Sequence, residues 1–161
     1  MALPRPANLV LALGNDILGD DAVSWIAAHE LKKRLPPSKV EIIQSAEAGL
    51  ALIEILTDFE RALIMDSIKT GNHRPGTIIE FTKEDLTKIV APSPHYAGLP
   101  EVLSTAGRHG IPLPPEIRIL AIEVVNPFEV REGLSPEVKA ALPDFIVQAE
   151  SIITSWTSEL R

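Results

Sequence analysis

Apolar residues fall along this chain in two rhythms: short unbroken runs, and longer stretches that repeat every three or four positions. Asn8 to Leu13 (NLVLAL), halted by Gly14-Asn15, reads as a buried strand. Gly19-Asp20-Asp21 then leads into a helical stretch whose apolar stripe is Val23, Ile26, Ala27, Leu31 and Leu35, ended by Pro36-Pro37. Trp25 and His29 stand four apart off that stripe and are expected to be partly exposed. Val40 to Gln44 reads as a second strand, Gly49 to Leu56 as a short helix, and Ala62 to Met65 as a third buried strand terminated by Asp66. Gly76 to Thr82 reads as a further strand and Glu84 to Val90 as a helical turn. The Pro-rich loop Ala91 to Pro94 precedes His95, and helical periodicity resumes over Leu99 to His109. Ile117 to Val124 alternates as a strand should. Ser135-Pro136-Glu137 opens a helix, with Ser as N-cap and Pro in the first position, that continues through Leu160 with a break near Pro143. Strands alternating with helices predict an α/β fold with a largely parallel sheet covered on both faces.

Composition leaves that picture intact and removes whole classes of function. The 161 residues suit one domain spanning the chain, and 45% hydrophobic with 23% charged residues is ordinary globular usage. The 14 Pro cluster in loops between periodic segments. A net charge of −7 and a pI near 5.1 make nucleic acid and anionic membrane poor partners. Without Cys there is no thiolate nucleophile, Cys-ligated zinc or disulfide. The apolar run from Leu9 is short and followed by acids rather than a small-residue cleavage site, and no apolar run approaches the roughly 20 residues that span a bilayer. The cytoplasm is therefore the expected location.

Ligands in open α/β sheets bind beyond the carboxyl ends of the strands. Asp16, Asp20 and Asp21 follow the first strand, Asp66 follows the third, and His95 lies in a loop long enough to reach the same edge. Two carboxylates and an imidazole, Asp21, Asp66 and His95, form a plausible set for a divalent transition metal. Each also has a local role open to it: Asp20 as helix N-cap with Asp21 against the helix dipole, Asp66 as a turn residue, His95 as a cap on a neighbouring carbonyl. Glu47, between the second strand and second helix, is a fourth acid at this edge, or else a helix N-terminal carboxylate. His73 in a polar turn and His109 near a helix end read as structural or solvated. Gly14 and Gly19 do not form G-x-G-x-x-G, and nearby carboxylates would repel a pyrophosphate. No G-x-S-x-G, H-E-x-x-H or G-K-[ST] occurs, and Ser45, Ser67 and Ser104 have no partnered motif.

Four stretches, in order and nearly end to end, resemble one family. They are GNDILGDD, ALIMDSIKTGNHRPGTI, SPHYAGLPEVL, and Ile119 to Pro143 with its GLSPEVKAALP. They are similar to the endopeptidases that mature nickel-iron hydrogenases by removing a C-terminal extension from the large subunit. The resemblance implies a single three-layer domain, with a mixed, mainly parallel five-stranded sheet between helices. It also implies metal contact by Asp21, Asp66 and His95, with Asp21 and Asp66 catalytic and Asp16 and Glu47 toward the substrate. The ion would be nickel belonging to the large-subunit precursor, with no organic cofactor. One departure stands out: Gln44 to Gly49 (QSAEAG) replaces an Asp-Gly-Gly-Thr-like turn, leaving Glu47 as the displaced acid. Two other functions fit the same residues, a non-cleaving metal-dependent binding module and a peptidase of similar fold with another protein substrate. Attack by a carboxylate-activated water and assistance by substrate groups both remain open.

Overall fold

A computed structural model describes residues 4–88 and 99–158, so His95 lies outside the described residues. Five strands, β1 (Asn8–Leu13), β2 (Val40–Ser45), β3 (Arg61–Ile68), β4 (Ile78–Thr82) and β5 (Glu116–Glu123), form one sheet in the order β2-β1-β3-β5-β4. All neighbours are parallel except β4, which pairs antiparallel with β5. The helices α1 (Val23–Arg34) and α4 (Pro136–Ser158) cover one face, and α2 (Ala51–Leu56) and α3 (Leu99–Arg108) the other. Val10, Leu63, Met65 and Leu120 point to the α1/α4 layer; Leu9, Leu11, Ile64 and Ile119 point to the α2/α3 layer. Covering both faces is why β1 and β3 are continuous apolar runs instead of alternating ones. Each fully buried Leu or Ile there contributes about 1.5–3 kcal/mol.

Most boundaries fall within two residues of expectation, and four differences are informative. β3 does not stop at Asp66: its pairing with β5 continues through Ile68 and Glu123, which the apolar run in ALIM could not reveal. The buried side of α1 is Val23, Ser24, Ala27, Ala28 and Leu31, so Ile26 turns outward at 38% exposure. Helix α4 runs unbroken through Pro143. Pro143 and Lys139 are both exposed, so water can satisfy the carbonyl that loses its partner, while Phe145, Ile146, Ala149 and Ile153 hold the following turns on the sheet. The Ser135 hydroxyl makes no capping bond; its backbone N–H is used instead, as described below. Trp25 is half-buried, its indole N–H donating to the Ser45 carbonyl at 3.4 Å, and His29 is exposed. Among the described residues no helix is long and apolar enough to cross a membrane.

Candidate active site

The strand order reverses between β1 and β3, because β1 continues through α1 to β2 on one side while β3 lies on the other. That reversal leaves a crevice beyond their carboxyl ends. Residues Gly14 to Ala22 fold over it and finish in a single 3-10 turn, Gly19–Ala22, that runs directly into α1. Two glycines make this possible. A Cβ on Gly14 would stand 2.5 Å from the Asp21 carbonyl oxygen, and Gly19 has φ +52° with the Arg131 Cγ 2.4 Å from where its Cβ would be. The compact turn brings Asp20 and Asp21 inside, at 5% and 0% exposure.

Asp20 does not cap α1, which has no side-chain cap bond. Its Oδ1 accepts the backbone N–H of Ser135 at 2.6 Å, tying the loop after β1 to the start of α4. Asp21 turns toward β3. That strand pairs with β1 only as far as Met65 but with β5 as far as Ile68, so Asp66 stands level with the last residue of β1 and Ser67 lies past it. Ser67 connects the two acids: its hydroxyl donates to Asp21 Oδ1 at 2.7 Å, and its backbone N–H donates to Asp66 Oδ1 at 2.8 Å. All three residues have 0% exposure. A buried carboxylate is costly unless hydrogen-bonded or paired, so two of them held by one intervening residue mark a place built to keep negative charge. Asp66 is thus neither a strand terminator nor a simple turn residue.

Asp16 and Glu47 are exposed on the loops that follow β1 and β2, at the same edge of the sheet. Glu47 is held by its backbone, whose N–H donates to the Ser45 hydroxyl at 3.0 Å. His73 and His109 are exposed. Among the described residues no three His, Cys, Asp or Glu side chains gather closely enough to hold a metal ion. Two further residues take part at this edge. Ser67 carried no motif, although it follows the acid at the end of a buried strand. Glu123 closes β5 in the way Asp66 nears the end of β3, the very signal that singled out Asp66. It is buried and accepts the Thr70 backbone N–H at 2.8 Å, the Thr70 hydroxyl, and the Gly71 N–H at 3.4 Å, so it anchors the loop leaving β3. Open cavities of about 400 Å³ beside β2 and about 530 Å³ beside α3 are lined by neither Asp21 nor Asp66.

Comparison with known proteins gives a consistent set of relatives. A family model described as hydrogenase maturation protease matches residues 26–152. The hydrogenase 2 maturation protease of Escherichia coli (strain K12) is 29% identical over 143 residues, 87% of this chain and 86% of that protein. The hydrogenase expression/formation protein HupD of Rhizobium leguminosarum bv. viciae is 26% identical over 157 residues, 95% of this chain and 77% of that protein. Among solved structures, the hydrogenase maturating endopeptidase HybD from E. coli superposes with a TM-score of 0.79 at 27% identity, over 92% of each chain.

Proposed function

Because the chain belongs to the hydrogenase maturation protease family, we propose that it removes the C-terminal extension of a nickel-iron hydrogenase large-subunit precursor once nickel is in place. In this reading Asp21, Asp66 and His95 contact the nickel carried by the precursor. The observation that carries it is the Ser67 link, which joins the buried Asp21 of the turn after β1 to the buried Asp66 near the carboxyl end of β3. Two carboxylates and one imidazole suit a borderline divalent ion and fill only part of its coordination sphere, leaving the rest to the precursor's own ligands. The nickel is then part of the substrate. Its arrival completes a site that Asp21 and Asp66 alone cannot, which couples cleavage to successful metal insertion. Ser67 acts as a positioning residue, binding Oδ1 of each acid. Asp16 and Glu47, exposed on the flanking loops, contact the precursor chain away from the metal.

The test is to incubate the purified protein with nickel-loaded and nickel-free large-subunit precursors and follow the precursor C-terminus by mass spectrometry. Cleavage confined to the loaded precursor, and lost in His95→Ala while the fold is retained, is the expected result. Equal cleavage of both precursors would sink the nickel-dependent reading, and stable binding of the loaded precursor with no bond broken would make the protein an escort.

A further inference from the structure

Beside its buried acids, the carboxyl edge of the sheet carries large apolar side chains left in water. Ile17 is 60% exposed, Leu50 63%, Val125 59%, Phe128 55% and Val130 74%. Among the described residues only Ile26 and Val147, both on helices, are large hydrophobics exposed elsewhere. The five are separated in sequence, on the connections that follow β1, β2 and β5, and parallel strands bring those connections to one edge. Single exposed apolar residues need no explanation, but five gathered on the loops of one sheet edge do.

The backbone joins two of these loops. Leu18 and Arg131 form a parallel bridge, with the Gly19 N–H donating to the Arg131 carbonyl at 3.1 Å and the Arg131 N–H to the Ile17 carbonyl at 3.3 Å. Ile17 and Val130 each precede a bridge partner, so the bridge brings the two loops that carry them together. The Arg131 stem covers Gly19, and the apolar pair is presented outward. The pair therefore adjoins the segment of chain that carries Asp21.

We propose that this apolar collar is the docking surface for the protein precursor, which it grips through apolar side chains near the peptide bond brought to Asp21 and Asp66. The proposal rests on the processing function above. Its occupant follows from continuity and charge. The loop that carries Ile17 also carries Asp21 and is bridged to the loop that carries Phe128 and Val130, so the collar is continuous with the acid-bearing segment. Exposed Asp16, Glu47, Glu129 and Glu132 outnumber the one exposed cation on these loops, Arg131, and are interleaved with the apolar residues, so the collar suits a segment bearing apolar and basic groups. A second copy of this chain, with the same acidic rim and a net charge of −7, would repel it.

The test measures binding and cutting separately. Affinity for nickel-loaded precursor is measured by biolayer interferometry and cleavage by mass spectrometry, for the wild type, a Phe128→Ser/Val130→Ser double variant, Ile17→Asp, and Val147→Ser on the outer face of α4. The collar variants are expected to bind about tenfold more weakly, a loss of about 1.4 kcal/mol. Their half-saturating precursor concentration should rise in proportion, with the rate at saturation and the melting temperature unchanged, and Val147→Ser should match the wild type. If the double variant unfolds, Ile17→Asp, one change in an exposed loop, decides alone. Wild-type affinity in the folded collar variants would overturn the dock, as would a wild-type dimer that these substitutions dissociate. Normal cutting together with unaltered affinity removes the dock and leaves the processing function. Precursor that binds the wild type uncut, yet binds the collar variants weakly, does the reverse.

Discussion

At the amino ends of the strands, Arg5 pairs with Glu41 at 2.8 Å, with its guanidinium 4.4 Å from the Phe59 ring centroid, and Arg61 pairs with Glu116 at 3.5 Å. These charges are on or near the surface, and Asn8 is the one buried polar residue at that end among the described residues. At the carboxyl ends, Asp20, Asp21, Asp66, Ser67 and Glu123 are all buried, together with Ser24 and Ser135 where α1 and α4 begin. Surface pairs cost little to make and contribute little, whereas buried acids cost much and persist only where the surrounding chain supplies donors. In this molecule the donors are Ser67 for Asp21 and Asp66, the Ser135 backbone for Asp20, and the Thr70–Gly71 turn for Glu123. One end of the sheet joins strands to one another. The other holds carboxylates out of water, each on donors that the fold supplies.

The sharpest way to break this contrast is to remove one buried charge without changing its shape. Asp21→Asn and Asp66→Asn each keep an oxygen that can accept the Ser67 bond, so far-UV circular dichroism should stay native. Processing should fall by about a hundredfold or more, the scale of losing an electrostatic contact to a reacting centre. Wild-type processing by a folded variant would move the chemistry away from this crevice. Next comes the turn that places Asp21. Gly14→Ala puts a methyl 2.5 Å from the Asp21 carbonyl oxygen, and backbone must shift to admit it. Urea unfolding should show a loss of about 1–3 kcal/mol, with processing reduced alongside.

Glu123→Gln takes the charge from a buried acceptor of three bonds and should cost about 1–3 kcal/mol. Its distinguishing mark is local: the Thr70 and Gly71 amides should exchange with deuterium faster than in the wild type, while strand amides in β1 stay protected. Uniform protection across both would show that Glu123 does not anchor the loop. The smallest change is expected at the opposite end of the sheet. Glu41→Gln leaves Arg5 exposed and solvated, so stability should drop by less than about 1 kcal/mol with processing unaffected. A larger loss there would erase the contrast between the two ends.

The chain's own periodicity determined that this is an alternating α/β domain, and it placed β1 at Asn8–Leu13, because burial on both faces writes an unbroken apolar run that needs no partner to be recognised. It also brought out Asp21 and Asp66, since acids that follow apolar runs are conspicuous and parallel strands gather such ends at one edge. Longer-range contacts decided the rest. That β3 continues past Asp66 depends on β5 as a partner some fifty residues later in the sequence. Asp20 could serve as a helix cap by every local rule, yet it binds Ser135, whose N–H comes within reach only after α4 has packed on the sheet. Ser67 carries no local signature of its role, and Glu123, although an acid at a strand end like Asp66, acquires its function from the Thr70–Gly71 turn that the fold places opposite it. Pro143 predicts a break because its ring and missing N–H are local facts, whereas the packing that carries α4 through it, and the water open to the freed carbonyl, belong to the folded surface.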